Sequence, residues 1–311
     1  MQTMKTISST VIVFLWLVLP PADAVETARA FATPEQAVSA LDQAVTTAVN
    51  TTNRAVFTTL FGPEAEKLQN PDSVQGAHEL ADFADAFNAT NRLVPESDTR
   101  MTLEVGANAW PFPIPLVKMP DGWRFDTAAG LEEILDRRIG RNELDVLRVM
   151  RAYVAAQREY ASRDRDGDDV LEYAQKIASS PGLMDGLFWP PDLNGEMSPL
   201  GPLVAYARSE GYSRSATNAQ PRPFHGYLFK ILTRQGKNAP GGQYDYIING
   251  NMIGGFGLIA WPAEYGDSGV MTFIVNQQGR VYQRDFGTNT TSIVQKTDTY
   301  DPDPGWKISP D

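Results

Sequence analysis

The sequence has no cysteine among its 311 residues. Disulfides, zinc–thiolate sites and thiol nucleophiles are therefore excluded, and a chain of this length can bury enough surface to fold without staples. Histidine is nearly absent too, at two residues, His78 and His225. Imidazole general bases are thus limited to two positions. Positive charge is in deficit: 27 Lys and Arg face 38 Asp and Glu, for a net charge of −11. A nucleic-acid partner needs a basic surface, so none is expected. Long hydrophobic runs are missing. The longest, VIVFLWLVL at 11–19, is too short for a bilayer core of about 30 Å. No phosphate-binding glycine loop and no low-complexity tract are present.

That apolar run has a different meaning. Lys5 precedes it and Ala22-Asp23-Ala24 follows it. A basic start, an apolar centre and a small-x-small end predict a secretory leader cleaved after Ala24. The mature chain is then periplasmic or secreted, with no transmembrane segment.

Hydrophobic periodicity divides the remainder. Thr33-Pro34-Glu35-Gln36 has the form of a capping box, and Val38, Leu41, Val45 and Val49 follow at helical spacing. A short helix over 55–61 ends at Gly62-Pro63, and a third runs over 73–87. Strand patterns occupy 100–105, 112–117 and 122–125. Residues 25–129 thus predict an N-terminal α+β domain. Residues 130–180 predict linking helices. Their apolar stripes, Leu131-Ile134-Leu135 and Leu144-Leu147-Met150-Val154-Tyr160, are separated at Gly140. A further helix is expected to begin at Glu172. Residues 181–222 are a Pro/Gly-rich connector. Residues 223–311 alternate as an antiparallel β domain, with a hairpin of 270–275 and 280–286 turning at Asn276–Gly279. The class is α+β.

Four motifs carry candidate chemistry. Gly266-Asp267-Ser268-Gly269 has the letters of a serine-protease nucleophile, and His225 is the histidine of the same domain. Ser268 with His225 is one reading, a hydrolase of an envelope polymer. The other is a turn, because Gly, Asp and Ser are turn residues and the two-barrel context is missing. DRRIGRNE (136–143) presents Arg137 and Arg138, a candidate anion clamp that would become a ligand site if a concave surface joins them to Trp189, or simple pairing with local carboxylates. Asp164, Asp166, Asp168 and Glu172 fit an EF-hand register for Ca²⁺. The glycine expected at the sharp turn is replaced there by Asp169, and Gln175 stands at the bidentate position. Trp110, Trp123, Phe188, Trp189, Tyr227, Trp261 and Tyr265 are available to line a groove, or to fill the core.

Three long stretches carry a resemblance: WPFPIPLVKMPDGWRFDTAAGLEEILDRRIGRNELDVLRVMRAYVAAQREYA (110–161), DGLFWP (185–190) and the segment from Phe224 to Gly287. Together they resemble an exported Gram-negative bacterial family, domain of unknown function 2950. Members read Asp-Gly-Asp-Gly in the acidic loop, whereas this chain has Asp169 in the last place. The resemblance implies an envelope protein and assigns no activity. At fold level the N-terminal part is similar to cystatin-like or NTF2-like domains, and the C-terminal part to pilin-like sheets. The expectation is a non-catalytic binding or assembly module, with an envelope protein or a glycan as partner.

Overall fold

The computed structural model describes residues 28–165, 167–190, 195–209 and 223–310. The expected leader lies outside them. Among the described residues no helix is long and apolar enough to cross a membrane. The architecture is mixed α+β, as the periodicity predicts.

Helix α1 (Pro34–Thr51) starts where its cap requires. Thr33 Oγ1 accepts from Gln36 N at 3.3 Å, and Gln36 Oε1 accepts from Ala32 N at 3.2 Å. α2 (Val56–Phe61) and a 3₁₀ turn (Pro63–Leu68) lead to α3 (Ser73–Ala89), capped by the Asp72 carboxylate. The strands β1 (Asn91–Ser97), β2 (Arg100–Val105), β3 (Trp110–Pro111), β4 (Leu116–Met119) and β5 (Gly122–Phe125) follow. They form an antiparallel sheet ordered β1-β2-β4-β5, with β3 paired to β2. One hydrophobic cluster joins α1 and α2 to this sheet, with Leu41, Leu103, Leu116 and Phe125 fully buried.

Helix α4 (Thr127–Tyr160) is continuous over 34 residues. The separation expected at Gly140 does not occur. A glycine inside a helix costs only about 1 kcal/mol against alanine, and contacts on both sides outweigh it. Ile134 packs on the first cluster, while Val146, Met150, Tyr153 and Tyr160 sit in a second. Leu144, expected on the buried stripe, is 60% exposed. The helix expected from Glu172 is also absent. Its backbone finds other partners: Tyr173 N donates to Met252 O, and the Gln157 amide holds both the N–H and the carbonyl of Ala174. With its peptide groups satisfied that way, the segment stays extended. The connector carries a helix of its own, α5 (Gly201–Ser209).

The last third contains β6 (Tyr227–Leu232), β7 (Arg234–Gln235), β8 (Tyr244–Asp245), β9 (Ile247–Ile248), β10 (Asn251–Met252), β11 (Gly257–Pro262), β12 (Thr272–Asn276), β13 (Tyr282–Arg284), α6 (Thr290–Lys296), β14 (Thr299–Tyr300) and β15 (Lys307–Ile308). The main sheet is antiparallel, ordered β15-β13-β12-β11-β6. All six residues of β11 are buried because both sheet faces are covered. Leu258 and Ala260 face the cluster built on α4, and Ile259 and Trp261 join Val294 of α6 and Tyr300 on the other side. β12 repeats the alternation, with Phe273 and Val275 on one side and Ile274 on the other. The expected hairpin is present, and Gly279 N closes its turn on Asn276 O at 2.8 Å.

Candidate functional site

Helices α1 and α3 have similar lengths and opposite fates. α1 buries seven residues along one stripe, whereas α3 buries only Phe87. The apolar stripe of α3, Leu80, Phe83 and Ala86, faces a cavity of about 780 Å³. Leu41 and Val45 of α1, Phe57 and Phe61 of α2, and Ile134 of α4 form its other walls, with Trp110 and Phe112 at the sheet end. Phe83 packs against Phe112 with ring centroids 5.2 Å apart, so the aromatic wall is already assembled. A cavity of this size lies within the range of about 300–1,000 Å³ typical of small-molecule sites.

Charged residues stand around this cavity. Arg137 donates to Glu133 Oε1 (2.7 Å) and to Pro111 O (2.8 Å), and its guanidinium lies 5.0 Å from the Trp110 ring centroid. Arg141 pairs with Glu79 at 2.5 Å, and Asn70 also donates to that carboxylate. Arg54 lines the cavity half-buried, and among the described residues it has no carboxylate within 4 Å.

A second, polar cleft of about 570 Å³ shares Glu79, Asp82, Arg137 and Arg141 with the first. It is lined also by His78, Asp145, Arg148 and His225. The two histidines of the chain, 147 positions apart, thus face one cleft. Asp145 carries an ion pair to Arg148 at 2.7 Å and lies 3.5 Å from His225 Nδ1. No signal in the sequence announces this meeting, because it depends on α3 lying beside α4. Among the described residues no group of three or more His, Asp and Glu is arranged to hold a metal.

The Gly266–Gly269 segment docks on α4 just beyond this cleft. Ser268 is 2% exposed. Its hydroxyl donates to Glu264 O (3.2 Å) and accepts from Glu264 N (3.0 Å), so its proton is spent on bracing the loop. Arg138 Nη1 pairs with Asp267 at 2.5 Å, Asn142 Nδ2 donates to Ser268 O at 2.8 Å, and Glu143 Oε1 accepts from Val270 N and Met271 N. Arg138, Asn142 and Glu143 share one side of α4, so the DRRIGRNE motif and the GDSG motif are each other's partners. Arg138 also donates to Gln69 O at 3.0 Å, which ties the 3₁₀ turn region to the same loop. The close fit dictates glycine: a Cβ on Gly269 would stand 2.2 Å from the Tyr227 hydroxyl, and one on Gly226 (φ +73°) 2.9 Å from Ser268 Cβ. Burial, and then the nearby Glu143 carboxylate, push the Tyr227 phenol far above its ordinary value, and its hydroxyl donates to Met271 O.

The remaining predicted residues lie elsewhere. Arg137 lines the cavity, Arg138 is buried in the loop contact, and Trp189 is 1% exposed in the α4 cluster, with Nε1 donating to Glu196 O. Arg165 stacks over that indole at 5.1 Å and pairs with Glu196, whose carboxyl it holds below the usual range. In the acidic loop, Asp166 lies outside the described residues. Asp164 accepts from Gly167 N and Asp169 N, Asp168 from Val170 N and Asn251 Nδ2, and Glu172 from Met252 N. Asp169 takes the left-handed conformation (φ +63°) that glycine supplies in a Ca²⁺ loop. These bonds fasten the loop to the β9–β10 hairpin.

A family model described as "Protein of unknown function (DUF2950)" matches residues 28–308. No curated protein and no solved structure matches the chain.

Proposed function

The chain belongs to the DUF2950 family, and on that premise we propose that it is an exported, non-catalytic envelope module that receives an apolar small molecule in the cavity beneath α3. The leader-like segment at 1–24 supports export. The observation that carries the binding reading is the apolar wall of the cavity, into which Leu80, Phe83 and Ala86 turn. The apolar wall offers water few hydrogen-bond partners, so it favours apolar guests. Each Å² of guest surface removed from water contributes about 25 cal/mol.

The test is a fluorescence titration of the mature chain with N-phenyl-1-naphthylamine. Saturable enhancement at one probe per chain is expected. Leu80→Trp narrows the cavity and is expected to weaken the enhancement while the thermal transition stays in place. No saturable signal from the wild-type chain, or an unchanged one from Leu80→Trp, defeats this reading.

A further inference from the structure

Resting on the cavity reading above, we propose that the natural occupant is an anionic amphiphile, a single apolar tail with a carboxylate or phosphate head, and that Arg54 receives the head. Three observations point there. First, the cavity is apolar in its walls and charged at several of its lining positions, the distribution an amphiphile matches. Second, the other lining guanidiniums already have partners: Glu133 takes Arg137, and Glu79 takes Arg141. Third, Arg54 has no such partner among the described residues, although it is half-buried. A cation beside an apolar wall loses hydration and gains most from an opposite charge brought into the same site. Asp82 also lines the cavity but is exposed, so water already solvates it and a cationic head gains little there. The guanidinium fork suits a two-oxygen head group, which it binds through parallel N–H donors.

The experiment is competition against N-phenyl-1-naphthylamine with four twelve-carbon probes below their micelle concentrations. These are dodecanoate, dodecyl phosphate, 1-dodecanol and dodecyltrimethylammonium, each tried on the wild-type chain, Arg54→Gln and Arg54→Lys. A hydrogen bond to a charged group predicts that an anionic probe displaces the dye at about tenfold lower concentration than dodecanol. Arg54→Gln abolishes that advantage, and Arg54→Lys keeps part of it. The tighter anionic probe names the head group, and either one supports the proposal. Dodecanol displacing the dye as well as the anions, the ammonium displacing it best, or an advantage that survives Arg54→Gln overturns the proposal and leaves the cavity reading standing. Failure of the dye itself to bind overturns both.

Discussion

The two hydrophobic clusters of this molecule are built from the same kinds of residue and packed to different ends. Around the C-terminal sheet every layer is filled: α4 covers one face, α6 and β14 the other, and Trp189, Tyr153, Tyr227 and Phe256 are at most 1–2% exposed. In the N-terminal part α1 is seated tightly, but α3 stands off and leaves a cavity of about 780 Å³. The contrast teaches where to look for each property. Close packing concentrates stability in the C-terminal cluster, whereas an apolar stripe left unfilled provides a surface on which a guest can be buried. The element shared by the two is α4, whose first half lines the cavity and whose second half forms the filled core.

Three perturbations sharpen that contrast, taken from the largest effect to the smallest. Trp189→Ala removes a large side chain from the filled cluster and is expected to cost about 3–5 kcal/mol in urea denaturation. Leu80→Ala, facing the cavity, is expected to cost about 1 kcal/mol or less. Equal losses at the two sites would break the distinction between a filled and a hollow core.

Alkaline pH is the second. All eleven tyrosines lie at position 153 or later, so residues 28–152 contain none. Burial raises the phenol pKa of Tyr153, Tyr227, Tyr246 and Tyr300 above the ordinary value near 10. For a group whose pKa is raised by folding, the stabilisation is complete below its unfolded pKa and is lost as pH climbs from there toward the folded one. Stability is therefore expected to fall from about pH 10 upward, with phenolate absorbance of the buried set appearing together with loss of tertiary circular dichroism. Full phenolate development with the fold intact contradicts this.

The third perturbation, smaller in effect than the loss of Trp189, is Ser268→Ala. Loss of its two bonds to Glu264 costs about 1–2 kcal/mol, and dye binding in the cavity stays unchanged because Ser268 is not among the residues lining it. Labelling of Ser268 by a fluorophosphonate probe would contradict its role as a loop brace.

Much of the fold is legible in local sequence. The Thr33 cap, the extent of α3, the β12–β13 hairpin and the turn character of Gly266–Gly269 follow from hydrogen bonds and periodicities that span a few residues. The departures from local pattern have one physical origin. Gly140 does not divide the helix, because contacts at both ends of α4 outweigh its weak propensity. Glu172 does not start a helix, because Gln157 and Met252 satisfy the following backbone from afar.

The sequence by itself determined the α+β class, the absence of thiol chemistry and the scarcity of imidazole. Only the tertiary structure decided that DRRIGRNE grips the GDSG loop, that His78 and His225 share a cleft, and that α3 roofs a cavity. Caps, turns and periodicity are written within one or two turns of chain. A cavity exists only where elements far apart in sequence fail to fill the space between them, and no local pattern records that space.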